Sequence, residues 1–152
     1  ANNTAEGVGG VYLFYSNPNL THVIIAYNTA GSNGDSNGGG MYIYDSNPNM
    51  THVTIAYNTA YRGGGIFLFN TSAIPNLSIT SSIIWGNNPE SIWIDYNNSD
   101  PLIPLITYSD IEGGFEGEGN INSDPLFKIS TEVGLSSSEK LRPFKSDLCA
   151  SG

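Results

Sequence analysis

The sequence is short of positive charge: five Lys and Arg stand against 14 Asp and Glu in 152 residues, a formal net charge of −9. That balance argues against nucleic acid and anionic membrane as partners, because both are bound through clustered cations. Cysteine is nearly absent. Cys149 is the only one, so no disulfide can form within the chain and no redox compartment is indicated. No apolar run is long enough to cross a bilayer, so direct membrane insertion is not expected. Charged residues make up only 12%. Gly, Asn, Ser and Thr take their place, and these favour turns and strands over helices, so almost no helix is expected. The chain also lacks an initiator Met and an apolar leader. It opens Ala1-Asn2-Asn3-Thr4-Ala5, which reads as a processed or excised piece entering in the middle of a repeat.

What the sequence does contain is itself, twice. Gly10-Val11-Tyr12-Leu13-Phe14-Tyr15-Ser16-Asn17-Pro18-Asn19-Leu20-Thr21-His22-Val23-Ile24-Ile25-Ala26-Tyr27-Asn28-Thr29-Ala30 returns at Gly40 to Ala60 with 15 of 21 positions identical. A period of 25 to 30 residues marks an array of stacked units rather than one globular core. Each unit opens on a glycine cluster (Gly9-Gly10, Gly38-Gly39-Gly40, Gly63-Gly64-Gly65) and continues as a short strand with period-two alternation. Val11/Leu13, Met41/Ile43 and Ile66/Leu68 then face inward. Ser-Asn-Pro-Asn follows as a turn. A second strand has Val23/Ile25 and Val53/Ile55 inside and His22/His52 and Ile24/Thr54 outside. The units carry no Asn-Gly hairpin turn between their strands, and their fixed order suits winding one unit per coil. The expected fold is all-β, a right-handed parallel β-helix of about four to five coils over residues 1–127, with coils starting near 11, 41, 66 and 91. Residues 128–152 lose the repeat and read as an irregular segment and candidate cap. With rungs about 4.8 Å apart, identical residues stack, and Asn28 above Asn58 forms an asparagine ladder.

The order of motifs carries a resemblance. Gly-Gly-Gly-[IM]-[YF] is followed by Asn-Pro-Asn-[LM]-Thr-x-Val-x-Ile-Ala-x-Asn-Thr-Ala, by Ser82-Ile83-Ile84-Trp85-Gly86-Asn87, by Tyr108-Ser109-Asp110-Ile111-Glu112-Gly113-Gly114 and by Asn122-Ser123-Asp124-Pro125-Leu126-Phe127. Over about residues 1 to 127 this resembles the right-handed parallel β-helix repeat proteins of bacterial cell surfaces, pectate-lyase-like in fold and akin to polymorphic outer-membrane-protein repeats. The resemblance implies an extracellular or cell-surface location, the family's members being mostly secreted or surface-displayed and usually without a demonstrated reaction. The ending Cys149-Ala150-Ser151-Gly152 matches that family only loosely.

Candidate sites follow from the outward positions. Tyr12, Phe14, Tyr42, Tyr44, Phe67 and Phe69 are expected to stack into two aromatic columns on the outside of the helix. Such a strip suits a protein interface or a platform for sugar rings, and it also suits plain strand stabilisation. His22 above His52 makes a pair without a third ligand, a poor metal site. Asn33-Gly34-Asp35-Ser36-Asn37-Gly38 has half the spacing of a calcium loop, but the Glu that would close it is missing and Tyr44 stands in its place. Asp110, Glu112, Glu116, Glu118 and Asp124 form a denser acidic run. No metal centre or cofactor is expected, calcium being the one candidate, with Asp35, Asp110, Glu112 and Asp124 as its ligands. Catalytic residues are not expected. A lyase needs a cation and a base, and the coil body has only Arg62; for a hydrolase the best carboxylates are Asp95 and Asp110. Sequons stand at Asn2, Asn19, Asn49, Asn70, Asn76 and Asn97, which permit glycosylation.

The function expected is that of a non-catalytic structural or adhesive module, part of a longer surface protein or of an end-to-end fibre. Its partners would be neighbouring repeats or further copies, with glycans as the rival reading. Neither end shows a cap in the sequence.

Overall fold

A computed structural model describes residues 1–31, 33–70, 77–96 and 103–127; the expected C-terminal segment 128–152 and the sequons at Asn76 and Asn97 lie outside them, as does the side chain of Asn70. The described residues form strands and turns without a helix, and no helix is long and apolar enough to cross a membrane. A short β1 (Thr4–Ala5) precedes a first rung of β2 (Val11–Phe14), β3 (Asn19–Thr21) and β4 (Ile24–Ala26), then β5 (Thr29–Ala30). The second rung is β6 (Met41–Tyr44), β7 (Asn49–Thr51) and β8 (Thr54–Ala56), and the third is β9 (Ile66–Asn70), β10 (Ser78–Thr80) and β11 (Ile83–Trp85). The fourth is β12 (Ile92–Tyr96), β13 (Leu105–Thr107) and β14 (Asp110–Ile111).

Like strands of successive rungs pair in parallel. Three four-stranded sheets result, β2-β6-β9-β12, β3-β7-β10-β13 and β4-β8-β11-β14, with β1 joining β5. The chain is therefore a β-solenoid of four rungs related by about three full turns, the low end of the coil count expected. Val11, Met41, Ile66 and Ile92 share one register position. The core is the inward alternation predicted from the repeat: Met41, Ile43, Met50, Val53, Ile55, Ile66, Leu68, Ile79 and Ile84 are fully buried.

Two expectations need correction. The second strand of each unit is not continuous but bends between β3 and β4, so every rung has three sides. The bend falls on His22, His52, Ser81 and Tyr108, whose φ values are 56, 55, 51 and 50 degrees. A left-handed residue turns the chain without a glycine, and the next side chain then points inward. The other corners follow the same rule, with Tyr15 and Asp45 at the first and Tyr27, Tyr57 and Gly86 at the third. The residue after each is Ser16 or Ser46, Val23, Val53, Ser82 or Ser109, and Asn28, Asn58 or Asn87. Period-two reading cannot see such a bend, because both sides of it stay apolar inside.

The second correction concerns the ends. Residues 113–122 close the fourth rung: Phe115 packs against the core, the Asn120 amide donates to Ile106 O (2.9 Å) and Phe115 O (3.1 Å), and Ile111 N donates to Ile121 O (3.0 Å). The acidic run thus caps the second and third sheets. At the first rung Val11, Leu13, Leu20 and Val23 are only partly buried.

The glycine clusters have a specific reason. Gly39, Gly40 and Met41 donate their amides to Gly63, Gly64 and Gly65 carbonyls at 3.1, 2.9 and 2.9 Å, and a Cβ on Gly64 would stand 2.3 Å from Asn88 O. Backbone passes over backbone there with no room for a side chain.

Candidate functional site

The outer face of the first sheet carries the aromatic strip. Alternation places Tyr12, Tyr42, Phe67 and Trp93 in one register column and Phe14, Tyr44, Phe69 and Asp95 in the next. In the first column Tyr12 meets Tyr42 edge-on at 5.2 Å, and Tyr42 lies 4.9 Å from Phe67. In the second, Phe14 to Tyr44 is 5.1 Å and Tyr44 to Phe69 is 5.3 Å. Trp93 extends the strip by one rung. Its signal was present in Ser91-Ile92-Trp93-Ile94, whose alternation repeats that of Gly65-Ile66-Phe67-Leu68.

Exposure grades along the strip. Tyr12 and Phe14 are 53% exposed, Tyr42 and Tyr44 are half-buried, and Phe67 is 2% exposed. Phe67 is therefore a buried layer and not a surface for a ligand, because rungs on both sides cover it. Tyr15, 62% exposed, leans on Phe14 at 4.5 Å and on Tyr44 at 5.7 Å. The open rings gather at the first rung. Packing among the rings raises the Tyr42 hydroxyl pKa, with Tyr12, Asp95 and Tyr44 adding to the shift. Arg62 covers Trp93, its guanidinium 5.3 Å from that ring and 5.4 Å from Tyr61.

At the third corner the asparagine ladder runs further than one pair. Asn3, Asn28 and Asn58 each donate backbone and side-chain N–H to the side-chain oxygen of the next Asn, ending on Asn87, at 2.9 to 3.1 Å. The Asn58 and Asn87 amides also donate to Ile25 O and Ile55 O. Shorter serine ladders hold the first corner, Ser16 N to Ser46 Oγ, and the second, Val53 N to Ser82 Oγ and Ser82 N to Ser109 Oγ. Outside the third corner Tyr27 and Tyr57 stack at 5.1 Å, and Phe127 reaches Tyr57 at 5.8 Å. These stacks were not foreseen, because both tyrosines sit at corners.

The remaining candidates disperse. His22 and His52 stack at 5.0 Å, and among the described residues no three His, Cys, Asp or Glu come together as a metal site. The acidic groups accept from nearby donors instead: Asp110 from Ser123 N (3.0 Å), Glu112 from Gly86 N (2.7 Å), Asp124 from Leu126 N (2.8 Å) and Glu118 from the Tyr108 hydroxyl. Asp35 is exposed in a loop organised by Asn33, whose side-chain oxygen accepts from Asp35 N and Ser36 Oγ. Asp95 and Asp110 project from different sheets, so they do not form a carboxylate pair. Asn19 and Asn49 are exposed register partners on the second sheet, and Asn2 is exposed at the third corner.

A family model described as right handed beta helix region matches residues 1–104. No curated protein and no solved structure matches the chain.

Proposed function

Because the chain belongs to the right-handed beta helix family, we propose that it serves as a non-catalytic structural module of an extracellular surface, a rigid spacer that adheres through its outer faces. The observation that carries this reading is the set of side-chain ladders running through successive rungs at all three corners. Hydrogen bonds aligned with the solenoid axis resist both shear and extension, which is what a spacer requires and what a reaction centre does not. The resemblance of its motif order to surface-displayed repeat proteins supports the extracellular placement. The test is a polysaccharide panel scored for new reducing ends and for unsaturated uronate absorbance, together with fractionation of cells producing the chain. Turnover that vanishes in Asp95→Asn or Asp110→Asn would replace this reading with a hydrolytic one, and retention in the cytosol would remove the surface role.

The exposure of Tyr12, Phe14 and Tyr15 favours one alternative, a glycan-binding module in which sugar rings stack on the first rung. Glycan-array binding that is lost in Tyr12→Ala/Tyr15→Ala supports that alternative, and binding unchanged by the substitutions excludes these rings from the role.

A further inference from the structure

Two Asn-Gly pairs occur in the chain, Asn33-Gly34 and Asn37-Gly38, and each follows a serine in the segment that joins β5 to β6. An asparagine ahead of glycine can react with its own main chain, because glycine has no Cβ to hold its nitrogen away from the side-chain amide carbon. The sequence neighbours of the two pairs are nearly alike, so any difference in their chemistry comes from the fold.

Asn37 stands in a parallel bridge with Arg62, and Gly38 N donates to Arg62 O at 3.0 Å. Asn37 Oδ1 is buried and accepts from no donor. The Gly38 nitrogen is therefore occupied, and nothing would take up charge on the Asn37 oxygen. Asn33, Gly34 and Asp35 are instead exposed. Gly34 N forms no hydrogen bond among the described residues, and a Cβ on Gly34 would find its nearest atom 4.0 Å away. Asn33 Oδ1 accepts from Asp35 N at 3.1 Å and lies 2.6 Å from Ser36 Oγ. Ser36 is fully buried, its hydroxyl also lies 2.5 Å from Glu6 O, and its carbonyl accepts from Tyr61 N at 2.9 Å. The one hydroxyl proton is shared between Glu6 O and Asn33 Oδ1, and it turns to Oδ1 as negative charge develops there. Donors fixed on a carbonyl oxygen stabilise the addition of a nucleophile to its carbon.

We propose that Asn33 is a self-modification site, converting to aspartate and isoaspartate in the folded chain while Asn37 is protected. Gly34 N attacks Asn33 Cγ, a geometry the main chain supplies without a second molecule. The new bond closes a succinimide ring, the bond from Cγ to the side-chain nitrogen breaks, and that nitrogen leaves as ammonia with the proton given up by Gly34 N. Water then adds to either ring carbonyl and opens it to aspartate or isoaspartate. Nothing is oxidised or reduced, and water is the only co-reactant. Both products place a second carboxylate beside Asp35. Isoaspartate also routes the main chain through the former side-chain carbon, which moves the oxygen that Asp35 N and Ser36 Oγ held, while Ser36 keeps Glu6 O and Tyr61 N. The change is confined to the loop, leaves the rungs standing and is independent of the role proposed above.

Peptide mapping by mass spectrometry tests the proposal on the full chain, aged in neutral buffer and in parallel in guanidinium chloride. Residues 33 and 37 are expected to convert at similar rates in denaturant. In the folded chain residue 33 converts at least as fast as it does unfolded, giving paired aspartate and isoaspartate peptides, and residue 37 slows severalfold. Gly34→Ala, for which the loop has room, keeps the far-ultraviolet spectrum and slows conversion at residue 33 severalfold. Folding that slows both residues alike overturns the proposal, as does an intact Asn33 in the aged folded chain. Conversion undiminished in Gly34→Ala, or yielding aspartate without isoaspartate, overturns it as well, because the succinimide route requires both signs.

Discussion

Replacing Asn58 with alanine is the sharpest test of the ladder at the third corner. The side chain is fully buried, accepts from Asn28 N and Asn28 Nδ2 at 2.9 Å each, and donates to Asn87 Oδ1 at 2.9 Å and Ile25 O at 3.0 Å. Asn58→Ala leaves two donors on Asn28 without their acceptor and removes the side-chain donor to Ile25 O. Asn87 Oδ1 keeps its bond from Asn58 N. At roughly 1–3 kcal/mol for each orphaned buried group, the expected loss is about 3–5 kcal/mol, a large share of a typical domain's stability. Asn3→Ala supplies the control, because Asn3 tops the ladder in an exposed position and its side chain only donates, to Asn28 Oδ1; its cost is about 1 kcal/mol or less. Urea denaturation followed by circular dichroism measures both. Asn58→Asp adds a sign: it keeps the acceptor but puts a buried carboxylate against Ile25 O and Asn87 Oδ1, which raises the folded-state pKa above the unfolded one. Its stability is then greatest below the unfolded value and falls as pH rises through the folded value. The reasoning fails if Asn58→Ala costs no more than Asn3→Ala, or if Asn58→Asp is less stable in acid than at neutrality.

Other positions test other parts of the fold. Gly64→Ala forces a Cβ to 2.3 Å from Asn88 O, whereas at Gly34 the nearest atom is 4.0 Å away; thermal unfolding is expected to show a loss of more than about 2 kcal/mol for the first and almost none for the second. Ser81→Val puts a β-branched residue at φ 51 on an exposed corner and is expected to cost about 1–2 kcal/mol in the same assay. The Tyr108 hydroxyl donates to Glu118, and that bond followed by desolvation raises its pKa above the ordinary 10.0. Tyr15 and Tyr42 are raised as well, so ultraviolet titration is expected to show a late-ionising group of tyrosines that loses one member in Tyr108→Phe. The linked contribution to folding is present below the unfolded tyrosine value and is lost as pH climbs through the raised folded value.

Much of this architecture was legible from one repeated segment. Met41/Ile43 and Ile66/Leu68 declared the inward face by alternation, and the Asn28 and Asn58 positions declared a ladder by their spacing. The corner at His22 was not legible, because histidine is no turn residue and its left-handed conformation is imposed by the rungs beneath. The closure of the fourth rung was hidden in an acidic run whose composition suggests solvent. Only contact shows that Phe115 turns inward and that Asn120 bridges Ile106 and Phe115. The aromatic strip was readable as a pattern, but not the grading that buries Phe67 and leaves Tyr12 open, since burial depends on how many rungs lie to either side.

The sequence by itself determined the parallel β-helix, because a 25- to 30-residue repeat with aliphatic residues at alternate positions can bury them only by stacking, and stacking puts like residues over like. It determined the local neutrality of the first unit and the acidity of the last. The tertiary structure decided how the fourth rung is closed, how the outer rings divide between core and surface, and that the carboxylates do not converge. These properties depend on what lies one rung above or below a residue, a relation across space that neighbours along the chain do not encode.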